Sequence, residues 1–132
     1  MSELKSFLWP KGIVVVGASR DPSKPGHVIF RILLENKRRG LLKANVYAVN
    51  PNAESILGEK VYKSIAEVPP DADLGVVVVP AKLVPAAISE LGSRGVRAAI
   101  IISAGFSEVG NRDLEMEVVK VAREKGVRVL GP

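Results

Sequence analysis

The sequence predicts an α/β protein with a doubly wound parallel sheet of about five strands and helices on both faces. Short apolar blocks rich in valine and isoleucine, such as GIVVV and LGVVVV, alternate along the chain with segments of helical spacing. Strands that are apolar on every residue are typical of parallel sheets covered on both faces. Since the chain has 132 residues, of which 47% are hydrophobic and 25% are charged, we expect one folded domain over residues 1–132.

The first half of the chain predicts a strand, a helix and a second strand. The block GIVVVGAS is typical of a buried strand that ends near Gly17, and the polar loop RDPSKPG follows it. HVIFRILLENKRRG predicts a helix, because Val28, Ile32 and Leu33 recur at helical spacing and Gly40 is a natural helix end. NVYAVNP is the second strand, and LGEKVY is a short extended piece after an irregular loop.

The second half predicts three more strands and two helices. LGVVVVPA is the third strand, and a helix over about residues 82–94 follows it, with Pro85 in the first turn and Gly95 after the end. VRAAIIISAG is the fourth strand. Asn111 is the expected cap of a helix that ends at Gly126, before VRVLGP supplies the fifth strand. The apolar residues of that last helix are Leu114, Val118, Val121 and Ala122.

The formal charge of +5 is compatible with binding to nucleic acid, to a membrane surface or to a polyanionic small molecule. The basic residues are scattered, and the one run of three, residues 37–39, lies at a predicted helix end, where cations complement the helix dipole. Three Phe, two Tyr and one Trp offer little for base stacking. The longest apolar stretch, residues 74–81, is far below the roughly 18 residues of a membrane span. We therefore expect neither nucleic acid nor a membrane as a partner.

The residues that several kinds of catalytic or metal site require are absent from this sequence. With no cysteine and with His27 as the one histidine, zinc sets and thiol nucleophiles are not expected. Neither G-x-S-x-G nor G-x-x-x-x-G-K-[ST] occurs. Four loop carboxylates could act as acids or bases, but such residues are more often caps or solvated charges, so no catalytic and no metal-binding residue is assigned. They are Asp71, Asp73, Glu108 and Asp113.

The N-terminal segment MSELKSFLWP mixes charges with apolar side chains and does not resemble a signal peptide. Together with the missing cysteines, this favours a reducing, cytoplasmic setting.

Function is expected in the loops that follow the strands, because ligands of doubly wound sheets bind at the carboxyl edge. The first loop leads from a strand into a helix, where backbone N–H groups and the helix dipole can hold a phosphate. Gly17 allows a tight turn there and Ser19 adds a hydroxyl, but Gly26 comes too late for the G-x-G-x-x-G fingerprint. An ordinary strand-to-helix turn and a phosphate loop both remain open.

The second loop bears on the choice of nucleotide. NAD-binding domains usually carry an acid at the end of strand two for the ribose hydroxyls, and this chain has Asn50 followed by Pro51. Arg20, Lys24 and His27 could neutralise the terminal phosphate of either CoA or NADP. For His27, a solvent-facing position at the helix start is the other interpretation.

The third and fourth loops consist of small residues with accessible backbone. They are Val79, Pro80 and Ala81 after the third strand, and Ser103, Ala104 and Gly105 after the fourth. Such residues leave room for a ligand across the strand ends, but they also simply close turns.

Five ordered segments resemble the CoA-binding domain that begins the alpha part of succinyl-CoA synthetase-like enzymes, especially the ADP-forming acetate–CoA ligases. They are VVGASRDPSKPG, YAVNPNAESILGEKVYKSIAEVP, DLGVVVVPAKLV, AAIIISAGFSEVG and GVRVLGP. The resemblance covers nearly the whole chain. It implies a Rossmann-like fold with coenzyme A as the bound nucleotide.

The resemblance also implies where CoA lies. Its ADP portion would sit near residues 17–20, flanked by the VNP segment at 49–51, and segments 79–81 and 102–105 would line the adenine and pantetheine path. Relatives often have a lysine after that proline, where this chain has Asn52 and Ala53. The predicted cofactor-binding residues are Gly17, Ala18, Ser19, Arg20, Lys24, Asn50, Pro51, Val79, Pro80, Ala81, Ile102, Ser103, Ala104 and Gly105.

Enzymes of this family carry phosphate on a histidine of a later domain and bind ADP in an ATP-grasp domain or subunit. The resemblance implies that this chain is the N-terminal CoA-binding domain of a longer ADP-forming acyl-CoA synthetase, an acid–thiol ligase, and is itself non-catalytic. The phosphohistidine and ATP-grasp parts would be its partners. The alternatives are an NAD(P)-binding module and a free-standing regulatory CoA-binding protein, and an oligomer also stays open.

Overall fold

The computed structural model describes residues 2–103, 106 and 112–131 and confirms the doubly wound α/β class. The strands are β1 (Gly12–Val16), β2 (Asn45–Val49), β3 (Ser55–Ile56), β4 (Glu59–Tyr62), β5 (Leu74–Val77), β6 (Ala98–Ile101) and β7 (Arg128–Leu130). The helices are α1 (Ser2–Leu8), α2 (Pro25–Arg38), α3 (Val84–Ser93) and α4 (Arg112–Lys125). Short 3-10 turns lie at Ile65–Glu67 and Ala81–Leu83.

The strands form one sheet in the order β3-β4-β2-β1-β5-β6-β7, in which β1, β2, β4, β5, β6 and β7 are parallel and β3 is antiparallel to β4. The order reverses at β1, because the chain builds outward through β2 on one side and then through β5, β6 and β7 on the other. At such a switch point the carboxyl ends of two adjacent strands leave a crevice in which ligands bind. In this sheet the switch point, where such a crevice is expected, lies between β1 and β5.

Apolar side chains cover both faces of the sheet. Val14 and Val16 of β1 belong to the core under α3 and α4, whereas Ile13 and Val15 belong to the clusters under α2 and α1. This alternation follows from the two-residue period of a strand. Gly75 of β5 leaves room for the Leu91 side chain of α3, whose Cδ1 would lie 2.7 Å from a Cβ at that position. Helices therefore form one layer on each face of a sheet that is buried on both sides.

The described residues form seven strands, so the expectation of about five is wrong. The five apolar strands are all present, and the LGEKVY segment adds β4, on which β3 folds back as a hairpin. Leu57 and Gly58 turn that hairpin with φ values of 53° and 78°, which two-residue type I′ turns require. Because these strands are short and include exposed polar residues, neither produces the apolar run by which buried strands are predicted.

Two helices also differ from the sequence pattern. The sequence did not predict α1, which lies against β6 and packs Phe7 on the core there. In α2 the buried apolar residues are Phe30 and Leu34, while Ile32, counted in the predicted helical pattern, is 44% exposed. The predicted stripe is therefore displaced around the helix.

Glycine positions predicted to end helices are confirmed. Gly40, Gly95 and Gly126 follow α2, α3 and α4 and have φ values of 76°, 96° and 71°, a region that side chains disfavour. The predicted cap Asn111 lies outside the described residues. In the described part of the chain, no helix has the length and apolar character needed to cross a bilayer.

A candidate nucleotide site at the carboxyl edge of the sheet

The loops after β1 and β5 touch directly at the switch point. Val78 donates its backbone N–H to Val16 O at 2.8 Å, which continues the ladder past the strand ends. A Cβ at Gly17 would lie 2.3 Å from Val78 O, and Gly17 has a φ of 96°. Both the conformation and the close approach therefore require glycine at position 17. This fixes the start of the β1 loop at the rim of the crevice.

Gly26 presses the start of α2 onto the same loop. A Cβ at Gly26 would lie 2.0 Å from Gly17 O and 3.0 Å from Gly17 C, so only glycine fits against this backbone. In dinucleotide-binding domains the fingerprint glycines provide a tight turn, a close approach and close helix packing. Gly17 and Gly26 provide the turn and the helix packing although their spacing departs from the fingerprint. The sequence spacing did not reveal the role of Gly26, because the β1 loop folds back and brings Gly26 against Gly17.

The start of α2 carries positive potential beside the β1 loop. The helix begins with Pro25, its Lys24 cap makes no side-chain cap hydrogen bond, and its first turn contains no acidic residue. Arg20 and Lys24 are exposed beside it. An uncapped helix N-terminus with nearby cations favours a bound anion such as a phosphate.

One carboxylate works against this potential. Asp21 accepts hydrogen bonds from the backbone N–H of Ser23 at 3.0 Å and from its hydroxyl at 2.8 Å. These two bonds, helped by the charges of Lys24 and His27, hold the pKa of Asp21 below its usual value. Asp21 is therefore negative at neutral pH and offsets part of the cationic charge, while its bonds to Ser23 shape the loop.

His27 is buried and tied to the β1 loop. It is 7% exposed, and its Nδ1 lies 2.8 Å from Ser19 O. The solvent-facing interpretation of His27 is therefore wrong, because the ring lies under the loop instead of projecting from the helix start.

Asn50 joins the end of β2 to the same loop. Its Nδ2 donates to Ala18 O at 2.8 Å, and its Oδ1 accepts the backbone N–H of Asn52 at 2.7 Å. Pro51 and Asn52, which follow it, are exposed. Asn50 stands where NAD-binding domains carry an acid, and both ends of its side-chain amide are used in hydrogen bonds to loop backbone.

The β5 and β6 loops are held together as well. Ser103 donates its hydroxyl to Val79 O at 2.6 Å, so this side chain is a structural tie. Pro80 is exposed, Val79 and Ala81 are half-buried, and Ile102 is 43% exposed. Ala104 and Gly105 lie outside the described residues.

The structure adds Lys82 to the candidates, which sequence reasoning missed. It is exposed within the 3-10 turn Ala81–Leu83, directly after the β5 loop. The sequence could have indicated Lys82, because it lies two residues after Pro80 in a loop expected at the carboxyl edge of the sheet.

Two loop carboxylates, Asp71 and Asp73, form hydrogen bonds at the opposite edge of the sheet. Asp73 accepts the backbone N–H groups of Lys11 and Gly12 at 3.0 and 3.3 Å before β1. Asp71 accepts Tyr47 Oη at 2.6 Å and Asn45 Nδ2 at 2.9 Å. Burial and the bond to Asp71 raise the pKa of Tyr47 to about 12. Partial burial raises the pKa of Asp71, but the bonds from Tyr47 and Asn45 outweigh it and leave that pKa below normal.

A separate groove of ≈ 480 Å³ runs along the outer face of α4 and not at the switch point. Met116 and Val119 form its apolar floor, with charged side chains around them. Within the residues that can be described, no three His, Asp or Glu side chains cluster as a metal site would require.

The fold and the switch-point loops together define a Rossmann-type nucleotide-binding domain. Residues 11–132 match the family described as the CoA binding domain, and the chain belongs to that family. It is 40% identical to Acetate–CoA ligase [ADP-forming] II of Archaeoglobus fulgidus over 98% of this chain and 19% of the relative. Coenzyme A is therefore the molecule that the family assigns to this domain.

Two solved structures are similar across almost the whole chain. One is the dinucleotide forming acetyl-coenzyme A synthetase 1 of Ca. Korarchaeum cryptofilum in complex with phosphate and ADP, with TM-score 0.90 and 43% identity, covering 100% of this chain and 28% of that one. The other is a conserved hypothetical protein of Pyrococcus furiosus, with TM-score 0.70 and 30% identity, covering 90% of each chain. The present chain thus spans less than a third of the synthetase and most of the short protein.

Proposed function

We propose that this chain is the CoA-binding domain of an ADP-forming acyl-CoA synthetase and holds CoA at the β1–β5 crevice. The observation that carries the proposal is the uncapped start of α2, pressed by Gly26 onto a loop with exposed cations. A diphosphate fits this arrangement, because backbone N–H groups and a helix dipole stabilise it without a carboxylate to repel it at the strand-two end.

The described residues fit CoA better than NAD. Asn50 stands where NAD-binding domains carry their ribose acid, and its amide is already bonded to Ala18 O. Arg20, Lys24 and the added Lys82 supply cations for a terminal phosphate. The residues proposed to form the CoA site are those predicted from the sequence, with Gly17 to Arg20 under the diphosphate. Asn50 and Ser103 contribute to it through their hydrogen bonds to Ala18 O and Val79 O.

When bound, CoA supplies the thiol that accepts the acyl group. The residues of this chain bind and orient the cofactor, and none is proposed to transfer the acyl or phosphoryl group. That chemistry is assigned to phosphohistidine and ATP-grasp domains or subunits, which makes this chain a single, N-terminal domain of a longer protein. A cytoplasmic setting is part of the proposal, since CoA and ADP chemistry belong there.

Calorimetry with CoA, dephospho-CoA, NAD and NADP tests the ligand directly. Binding of CoA with a lower Kd than NAD or NADP is expected. Arg20→Ala combined with Lys24→Ala should raise the Kd for CoA and reduce the dependence of binding on salt, because two phosphate-facing charges are lost. Lys43→Ala, which removes a cation at an exposed position before β2, is the control. Tighter binding of NADP than of CoA would overturn the proposal.

A free-standing regulatory CoA-binding protein is the second candidate. It is favoured by the similarity to the Pyrococcus furiosus protein, of which this chain covers 90%. The two functions differ in what CoA binding accomplishes. Formation of acyl-CoA with ADP release, when the natural full-length protein is given acid, CoA, ATP and Mg²⁺, supports the synthetase. CoA binding without that activity supports the regulatory protein.

A further inference from the structure

Two successive carbonyl groups of the β1 loop are held by side chains from two other elements. Asn50 Nδ2, at the end of β2, bonds to Ala18 O at 2.8 Å. His27 Nδ1, in the first turn of α2, bonds to Ser19 O at 2.8 Å. We call this pair of hydrogen bonds the carbonyl clamp. Asn50 and Ala18 are 32 positions apart in the sequence, and His27 and Ser19 are 8 positions apart.

The carbonyl clamp fixes the direction of two backbone N–H groups. In a trans peptide the N–H points opposite to the C=O of the same plane. The N–H of Ser19 therefore points away from Asn50, and the N–H of Arg20 points away from the His27 ring. Among the described residues, no acceptor takes either of these N–H groups. Two adjacent donors of the loop therefore have no protein partner in the described part of the chain.

The opposite orientation would reverse the electrostatics of the loop. If either peptide plane flipped, a carbonyl dipole would face the crevice where an anion is expected. A buried histidine at 7% exposure resists such a flip, because losing its partner would leave a ring N–H unsatisfied inside the protein. The clamp therefore holds both carbonyl oxygens toward Asn50 and His27, which favours a phosphate on the N–H side of the loop.

We propose that His27 and Asn50 are positioning residues that hold the β1 loop with the N–H groups of Ser19 and Arg20 presented to the diphosphate of CoA. The inference rests on the proposed CoA-binding function. Neither side chain touches the ligand in this account. Each acts through a backbone carbonyl, and their combined effect is to preorganise two donors before the ligand arrives.

The proposal fixes the protonation pattern of the imidazole. A carbonyl oxygen accepts and cannot donate, so His27 Nδ1 must carry a proton. In the neutral ring Nε2 is then unprotonated. Nitrogen-15 NMR of the imidazole at a pH where the ring is neutral reports this tautomer directly in the ligand-free protein. A neutral ring protonated at Nε2 alone would overturn the clamp.

Two substitutions separate positioning from mere packing. In His27→Asn the side-chain amide nitrogen takes the place of Nδ1, whereas in His27→Gln it lies near the place of Nε2. We expect His27→Asn to keep the Kd for CoA within about threefold of wild type and His27→Gln to raise it about tenfold, the usual cost of one lost hydrogen bond of this kind. Melting temperatures of both variants confirm that each is folded.

Asn50→Ser and Asn50→Asp test the other half of the clamp. Asn50→Asp keeps the shape and the acceptor for the Asn52 N–H but loses the donor to Ala18 O, and should raise the Kd for CoA at least tenfold. Asn50→Ser, with a shorter donor, should fall between it and wild type. Equal losses in His27→Asn and His27→Gln, with CoA binding intact in the wild type, would overturn the positioning role. Failure of the wild type to bind CoA would instead overturn the proposed function, while the tautomer still tests the clamp.

Discussion

Replacing Gly26 with alanine would separate α2 from the β1 loop. The new Cβ would lie 2.0 Å from Gly17 O, and ordinary contact begins at 3.4 Å, so the helix start has to retreat by about 1.4 Å from a backbone atom that cannot rotate away. Overpacking of this kind costs about 1–3 kcal/mol, and the better helix propensity of alanine returns up to about 1 kcal/mol. We expect a net loss of about 1–2 kcal/mol in the free energy of unfolding.

The same displacement should weaken CoA binding, because the N-terminus of α2 moves away from the loop that it completes. Urea unfolding followed by circular dichroism gives the stability, and calorimetry gives the Kd, which should rise at least tenfold. Gly40→Ala is the matched control: nothing lies within 4 Å of its Cβ, but its φ is 76°, so it should cost about 1 kcal/mol through backbone strain and leave the Kd unchanged. Wild-type stability and Kd in Gly26→Ala would refute the close packing.

Three other outcomes follow from the structure. Because the pKa of Tyr47 is raised to about 12 while an unfolded tyrosine titrates near 10, the unfolded chain loses this proton first, so stability should fall as the pH rises from about 10 to 12. Tyr47→Phe should lack this loss in alkaline unfolding curves, and an unchanged curve would contradict it. Because the pKa of Asp71 is lower in the folded protein than its ordinary value of 3.8, the ionised Asp71 contributes to the free energy of unfolding above pH 3.8. This contribution is lost as the pH falls through the pKa of Asp71 in the folded protein, so Asp71→Asn should make unfolding curves less dependent on acid pH. Ser103→Ala removes the 2.6 Å bond to Val79 O and should lower the melting temperature by a few degrees, for a cost of about 1 kcal/mol, while Ser103→Thr should retain it.

Much of the candidate site could be predicted from strand ends alone. The loops after β1, β2, β5 and β6 meet at one edge because parallel strands align their carboxyl ends, and this placed Gly17, Asn50, Pro80 and Ser103 in one region. Their individual roles could not be predicted. Asn50 and Ser103 were expected as ligand contacts, and the structure engages both in hydrogen bonds to neighbouring loops.

His27 shows why such roles escape sequence reasoning. A histidine at a helix start can face solvent, a ligand or the protein interior, and its neighbours in sequence do not distinguish these. Its burial depends on how closely Gly26 brings α2 to the β1 loop. The decisive contact joins the backbones of Gly17 and Gly26, which the β1 loop separates in the sequence.

The sequence by itself determined the fold class, the alternation of helices and strands, and the helix ends at Gly40, Gly95 and Gly126. These depend on local properties, namely the period of apolar residues and the backbone freedom of glycine. Only the tertiary structure decided that the sheet has seven strands in the described residues, that Gly26 packs on Gly17, and that His27 and Asn50 hold the β1 loop. Those facts depend on contacts between residues far apart in the chain, and no local pattern encodes the distance at which they meet.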